Sequence, residues 1–247
     1  STNIHELDDL QVCATDINPI GQQIDHFEFI YTASALTCNP QPVTIRACLN
    51  SSCSSLYTNP VSVTLSPASY WTATAPATVS GSTITFSGGS ALAQLRVPTA
   101  GSVALAAQSS VPTTKPNSQT VCSTAGCQIN YADSGLLLQV PNLLAAKPTP
   151  ATISAVRKSD DALQCVSAFA NVDRVVQFTS AYADPATGSQ LVVVNGSNVG
   201  AVASNINLSF DSTGTAPSGE EGSVIRTTSD DPLGQITLIV LPGASVE

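Results

Sequence analysis

An all-β fold is what this sequence predicts, and three observations predict it. Short runs such as PVTIRA and VSVTL alternate apolar with small or polar residues, and a period of two marks half-buried strands. Only 10% of the 247 residues are charged, far below the usual quarter, which suits a Ser/Thr/Val-rich sheet protein better than a helical one. Seven Cys, several closely spaced among Ser, Thr and Asn, suit disulfide-tied strands in an oxidising compartment.

Taken in order, residues 1–25 hold one strand-like run at 10–13 and then a turn-rich passage through Asn18, Pro19 and Gly21. They are too few to fold alone and are expected to be a tail. From His26, Phe27, Phe29 and Tyr31 alternate with His26, Glu28 and Ile30 as a first strand with an aromatic face. Further strands are expected at 43–47, 61–65, 70–73, 83–86, 91–97 and 103–107, separated by Gly, Pro or Ser. Seven short strands at this spacing predict an immunoglobulin-like β-sandwich over 26–110. Residues 109–120, SSVPTTKPNSQT, have no periodicity and hold two Pro, so a linker is placed at 111–120.

A second sandwich is expected over 121–247, with strands at 135–140, 151–156, 175–180, 190–194, 206–210 and 236–240. The acidic, Gly/Ser-rich passage 211–231 is expected to be the least ordered on composition. A slide of 108 residues places PVTIRA at 42–47 on PATISA at 150–155, and 27–31 on 135–139. The same slide places Cys38 on Ala146 and Cys48 on Val156, so the scaffold repeats while the cysteines do not. The prediction is two tandem immunoglobulin-like β-sandwich domains with disulfides.

Cys48 and Cys53 are five apart, as are Cys122 and Cys127, and each pair is expected to close a small loop. Cys13 with Cys38 would staple the tail to the first sandwich, leaving Cys165 unpaired. A four-thiolate zinc site made from the two C-x4-C pairs is the rival, and the compartment favours disulfides. No G-x-S-x-G, H-E-x-x-H, Walker loop or C-x-x-C-H occurs, so no catalytic, cofactor-binding or metal-ligating residue is assigned and no enzyme is expected. Cys165 as a nucleophile would have only His5 and His26 as partners, and both read as exposed strand or tail residues.

Asp8-Asp9, Asp160-Asp161, Glu220-Glu221 and Asp230-Asp231 offer oxygens for Ca²⁺, but without a D-x-D-x-D-G loop they read first as solvated turns. Tyr70 and Trp71 read as core; an exposed pair would instead make a sugar-stacking platform, so these two are the ligand-contact candidates. With a net charge of -9 and only 8 Lys plus Arg, the nearest approach to a basic cluster is Arg157-Lys158, and neither nucleic acid nor an anionic membrane is an expected partner. No run reaches the ~18 apolar residues of a spanning helix. The chain has no Met, even at its start, and is expected to be a processed or cut product.

The blocks ALTCNPQPVTIRACLNSSCSSLYTNPVSVTLSP, ITFSGGSALAQLRVP, YADSGLLLQVPN, TISAVRKSDDALQCVSAFANVDRVVQFTSAY and LSFDSTGTA together resemble the domain found in MshQ-like proteins. These are large bacterial surface proteins whose genes accompany the mannose-sensitive haemagglutinin type of type IV pilus. The resemblance covers roughly residues 26–240. In that family the domain commonly follows a concanavalin A-like jelly roll, and IHELDDLQVCA looks like the closing strand of such an upstream lectin-like domain. The family's second half usually carries a Cys shortly before the TISAVRK-like block, where this chain has Ala146. The resemblance implies export, attachment to pili or the cell surface, and an adhesive or assembly role, and it brings no catalytic residues. The expected partners are pilus or cell-surface proteins, and host or surface glycans. A carbohydrate-binding module using Tyr70, Trp71 and Ca²⁺, or a fibre subunit donating its N-terminal strand, are the alternatives.

Overall fold

The computed structural model describes residues 21–68, 70–139, 151–160, 163–184, 187, 192–217 and 235–241. Cys13, His5 and the acidic pairs at 8–9, 220–221 and 230–231 lie outside the described residues, as do Asp161 and Ala146. Among the described residues the chain is all-β, its one helical turn being a 3-10 turn at Ala125–Cys127. Among the described residues no helix is long and apolar enough to cross a membrane.

The first unit runs β1 (His26–Ile30), β2 (Ser34–Leu36), β3 (Gln41–Cys48), β4 (Val61–Ser66), β5 (Trp71–Ala73), β6 (Thr78–Ser80), β7 (Thr83–Phe86), β8 (Ser90–Leu95), β9 (Gly101–Ala104), β10 (Ala106–Val111), β11 (Val121–Cys122) and β12 (Gln128–Ala132). One sheet has the order β11-β1-β3-β8-β5 and the facing one β10-β4-β7-β6, while β2-β12-β9 closes a side. Alternation does what it predicts. Val43, Ile45 and Ala47 of β3 are fully buried, and with Phe27 and Phe29 they meet Val61, Val63, Leu65, Ile84 and Phe86 from the other sheet. Burying each large side chain is worth roughly 1.5–3 kcal/mol. A one-residue slip would turn a whole set outward, and this fixes the register.

The second unit comprises β13 (Ser134–Gln139), β14 (Thr152–Lys158), β15 (Cys165–Ser167), β16 (Val172–Asp184), β17 (Val192–Val194), β18 (Ser197–Val199), β19 (Ser204–Phe210), β20 (Thr215–Pro217) and β21 (Gln235–Leu241). β13 pairs one edge of β14, while β15 and β20 share its other edge. β19-β16-β21 forms a second sheet. Ile153 and Ala155 pack with Val176, Phe178, Ile206, Leu208 and Phe210 in a separate core. β17 and β18 are joined by Asn195-Gly196, both at positive φ (48° and 75°), the conformation a two-residue hairpin requires.

Three expectations change. Residues 109–120 are not one linker: β10 runs to Val111 on the edge of β4, Ile24 bridges Thr114, and the Lys115 amide donates to the Ile24 carbonyl. The expected strand at 103–107 is two, because the chain crosses from one sheet to another at buried Leu105. Residues 121–132, assigned to the second sandwich, complete the first: β11 adds to β1, β12 joins β2 and β9, and Ile129 and Tyr131 enter the first core. The signal was hidden because their partners lie some 90 residues upstream.

The 108-residue repeat holds for β3 and β14, whose buried positions Val43, Ile45 and Ala47 correspond to Ala151, Ile153 and Ala155. It fails by one residue for their neighbours. Phe29 faces Ile45, but Leu138 rather than Leu137 faces Ile153. Leu136 and Leu138 therefore turn toward the second core.

Cys48 bridges Cys53 and Cys122 bridges Cys127. Cys165 is not unpaired, and Cys38 does not wait for Cys13: the two bridge each other across 127 residues. The physical reason is the junction. Thr37 donates its backbone N–H to the Ala132 carbonyl and its hydroxyl to Asp133 (2.7 Å), and Lys158 donates its N–H to the Asp133 carbonyl and its ammonium to Pro98 (2.6 Å). Lys158 is also the β14 residue opposite Cys165, so these bonds draw Cys38 and Cys165 together.

The chain-entropy treatment gives about 5 kcal/mol for closing a loop of this length and about 2 kcal/mol for a five-residue one. Denaturant unfolding without reductant should therefore rank Cys38→Ser/Cys165→Ser as more destabilised than Cys48→Ser/Cys53→Ser. The reverse order would show that the long bridge constrains little.

Candidate functional site

The densest grouping of polar and sulfur chemistry among the described residues lies around the start of β1. His26, Glu28 and Ile30 share the face of that strand opposite the core, and His26 lies across from Cys48, Glu28 from Arg46. A histidine there would ordinarily be wet, and the sequence reads it so. It is instead 6% exposed. Cys48 lies on the same outward face, and its bridge to Cys53 brings the 49–55 loop back over the sheet. Arg46 marks that return: its guanidinium donates to the Cys53 carbonyl and to the Glu28 carboxylate, both at 2.9 Å. Cys53 takes φ 52°, a left-handed conformation uncommon outside Gly, and Cys127 does the same at φ 53°. Both five-residue loops thus close through the same backbone turn at the second cysteine.

Asp25 joins the supposed linker to this corner. Its carboxylate is 2.9 Å from His26 Nδ1 and accepts from the Lys115 ammonium at 2.7 Å. Its carbonyl accepts from the Ser118 hydroxyl, and its N–H donates to the Cys48 carbonyl at 2.7 Å. The hydrogen bond from Lys115, followed by that from His26, holds the Asp25 carboxyl below its ordinary pKa. One ring nitrogen of His26 and the two sulfurs of Cys48 and Cys53 lie within 4.8 Å of one another.

The four cysteines of the C-x4-C pairs do not converge. Cys48 sits at the end of β3 and Cys122 on β11, with β1 between them in the sheet, and each pairs within its own loop. Tyr70 and Trp71 do not form a stacking platform either. Trp71 faces Leu95 on β8, is 5% exposed, and donates its indole N–H to the Pro67 carbonyl at 2.7 Å. Tyr70 is 52% exposed at φ 72°, so successive residues point to opposite sides. Asp160 pairs with Arg157 at 3.4 Å on the surface. Asp211 is an oxygen cap for its own turn, accepting from Thr213 N and Oγ1 (both 2.7 Å) and Thr215 N (3.0 Å), and these bonds, the Thr213 hydroxyl first, lower its pKa. Asp25, Lys115, Arg46 and Glu28 are not legible as a group in the sequence. The adjacent Asp25-His26 was the one visible hint.

Residues 24–113 match the family model Domain of unknown function (DUF8613). Residues 117–220 match Domain of unknown function (DUF6701), first Ig-like domain. The division at 113–117 precedes the packing boundary, since β11 and β12 fall in the second match but in the first core. Among solved structures, the Yersinia pseudotuberculosis adhesin InvE is 15% identical over 87% of this chain and 58% of that one, with a TM-score of 0.26. A chaperone-tip adhesin complex of CFA/I fimbriae is 9% identical over 92% and 87%, with a TM-score of 0.22. The chain thus spans little more than half of the InvE structure, and likeness at these scores carries no argument about fold or role. No curated protein matches.

Because the folded-state pKa of Asp25 is lowered, its stabilising effect is fully present above the unfolded value near 4 and disappears as pH falls through the folded value. Asp25→Asn should lower the Tm at pH 7, and the gap from the parent should close as the pH is taken well below about 4. A gap that stays constant over that range would remove the ion pair as its cause. Trp71→Ala should cost about 3–5 kcal/mol as a core truncation. Tyr70→Gly should be neutral or stabilising, since Gly accepts the left-handed backbone without strain.

Proposed function

We propose that this chain is a non-enzymatic structural and adhesive segment of an exported bacterial surface protein, acting as a stiff two-sandwich module that holds binding loops away from the cell. The carrying observation is the set of three disulfides, above all Cys38–Cys165, which ties β15 of the second sandwich to the first. Such bridges persist outside the cytosol and are rare within it. A low charge content and a net charge of -9 suit a soluble surface segment. The Ig-like match of residues 117–220 agrees with a module of this kind. The finer part, association with type IV pili of the mannose-sensitive haemagglutinin kind, rests on the sequence blocks that resemble MshQ-like proteins. Glycan binding through stacked aromatics has lost one support, because Trp71 is core.

Antibody labelling of intact bacteria should find this chain on the surface, and a non-reducing peptide map of that material should recover Cys38 linked to Cys165. Labelling along pili that vanishes when the pilin is deleted would support the pilus reading; labelling that persists would confine the role to the envelope. Free Cys48 and Cys53 thiols in cytosolic material would defeat the proposal.

A further inference from the structure

We propose that the Cys48–Cys53 disulfide conceals a metal site: in its dithiol form, Cys48, Cys53 and His26 bind a thiophilic d10 cation, Zn²⁺ or Cu⁺. The three donor atoms are already within 4.8 Å of one another and buried, at 0%, 4% and 6% exposure. Two are fixed by the backbone, because His26 and Cys48 are cross-strand neighbours on one face of the β1/β3 ladder. The third is carried by the 49–55 loop, whose residues 51, 52, 54 and 55 are exposed, giving an ion a way in.

The surroundings have the form of a ligand shell. Asp25 engages His26 Nδ1, which leaves Nε2 with the free lone pair and orients the ring, the carboxylate–histidine arrangement common behind metal-bound imidazoles. Lys115 and the Ser118 hydroxyl hold Asp25 in place. The Arg46 guanidinium, bonded to the Cys53 carbonyl and to Glu28, ties the loop that carries Cys53 to the strand below it. Two sulfurs and one imidazole suit three-coordinate Cu⁺, or Zn²⁺ with water in the fourth position.

The chemistry balances. A dithiol reductant gives two electrons and two protons to the Cys48–Cys53 bond and becomes a disulfide, leaving two thiols. Metal binding then releases both thiol protons to solvent and forms two metal–sulfur bonds and one metal–nitrogen bond. Under oxidising conditions the site is closed. Reduction opens it, so metal uptake is coupled to redox state.

The test uses the full chain carrying Cys13→Ser, Cys38→Ser, Cys122→Ser, Cys127→Ser and Cys165→Ser, so that phosphine reduction frees the thiols of Cys48 and Cys53 alone, and the reduced chain is titrated with Zn²⁺ and, separately, with Cu⁺ against chromophoric chelators. One ion per chain should bind, and the unreduced protein should bind none. His26→Gln should weaken binding by at least about 100-fold, and Asp25→Asn by roughly 10–100-fold as an outer-shell change. Unchanged affinity in His26→Gln would mean that thiols alone capture the ion and would overturn the proposal. So would failure of both ions to bind, or loss of the native circular dichroism on reduction, since the site requires the His26–Cys48 register.

Discussion

The ladder of β3 against β1 and β8 is the constraint on which the first sandwich is built. Its inward side chains, Val43, Ile45 and Ala47, are fully excluded from water and can face nowhere else without forfeiting several kilocalories each way. That requirement decides everything on the other side of the strand. If Ala47 points in, Cys48 must point out, and its partner across the ladder is His26. The buried corner of Asp25, His26 and the Cys48–Cys53 loop thus follows from a hydrophobic register set several residues away. Polar chemistry there is a by-product of core packing.

The second sandwich repeats the central strand but not its edges. β14 reproduces the buried alternation of β3, whereas β13 is offset by one residue from the position of β1, and no cysteine pair matches Cys48–Cys53. What joins the halves is made of parts neither half needs alone: Cys38 in the turn after β2, Cys165 on β15, Asp133 between β12 and β13, and Lys158 reaching Pro98. Among the described residues the junction combines a covalent bond and hydrogen bonds with the Leu36 side chain packed against Gly135.

Most of the strands were legible because alternation is a local signal, and the two five-residue disulfide loops were legible because their cysteines are near neighbours. The misses share a cause. β11 and β12 find partners at β1, β2 and β9, the 114–118 segment docks on residues 24–25, and Cys165 finds Cys38, all at separations where spacing carries no information. Trp71 was readable as core from its place in a strand, but the left-handed backbone at Tyr70 was not. His26 was misread because a period-two pattern predicts which face a residue occupies and not whether a loop later folds over that face.

The Cys38–Cys165 bond also changes how the chain would extend under tension. A pull entering before Cys38 and leaving after Cys165 would pass through one sulfur–sulfur bond, and the 127-residue separation between them would be short-circuited. Stretched out at about 3.4 Å per residue, that span amounts to roughly 430 Å of contour length that stays in reserve while the bond is intact. Most of the first sandwich would then remain folded and mechanically silent, and only reduction would let it lengthen.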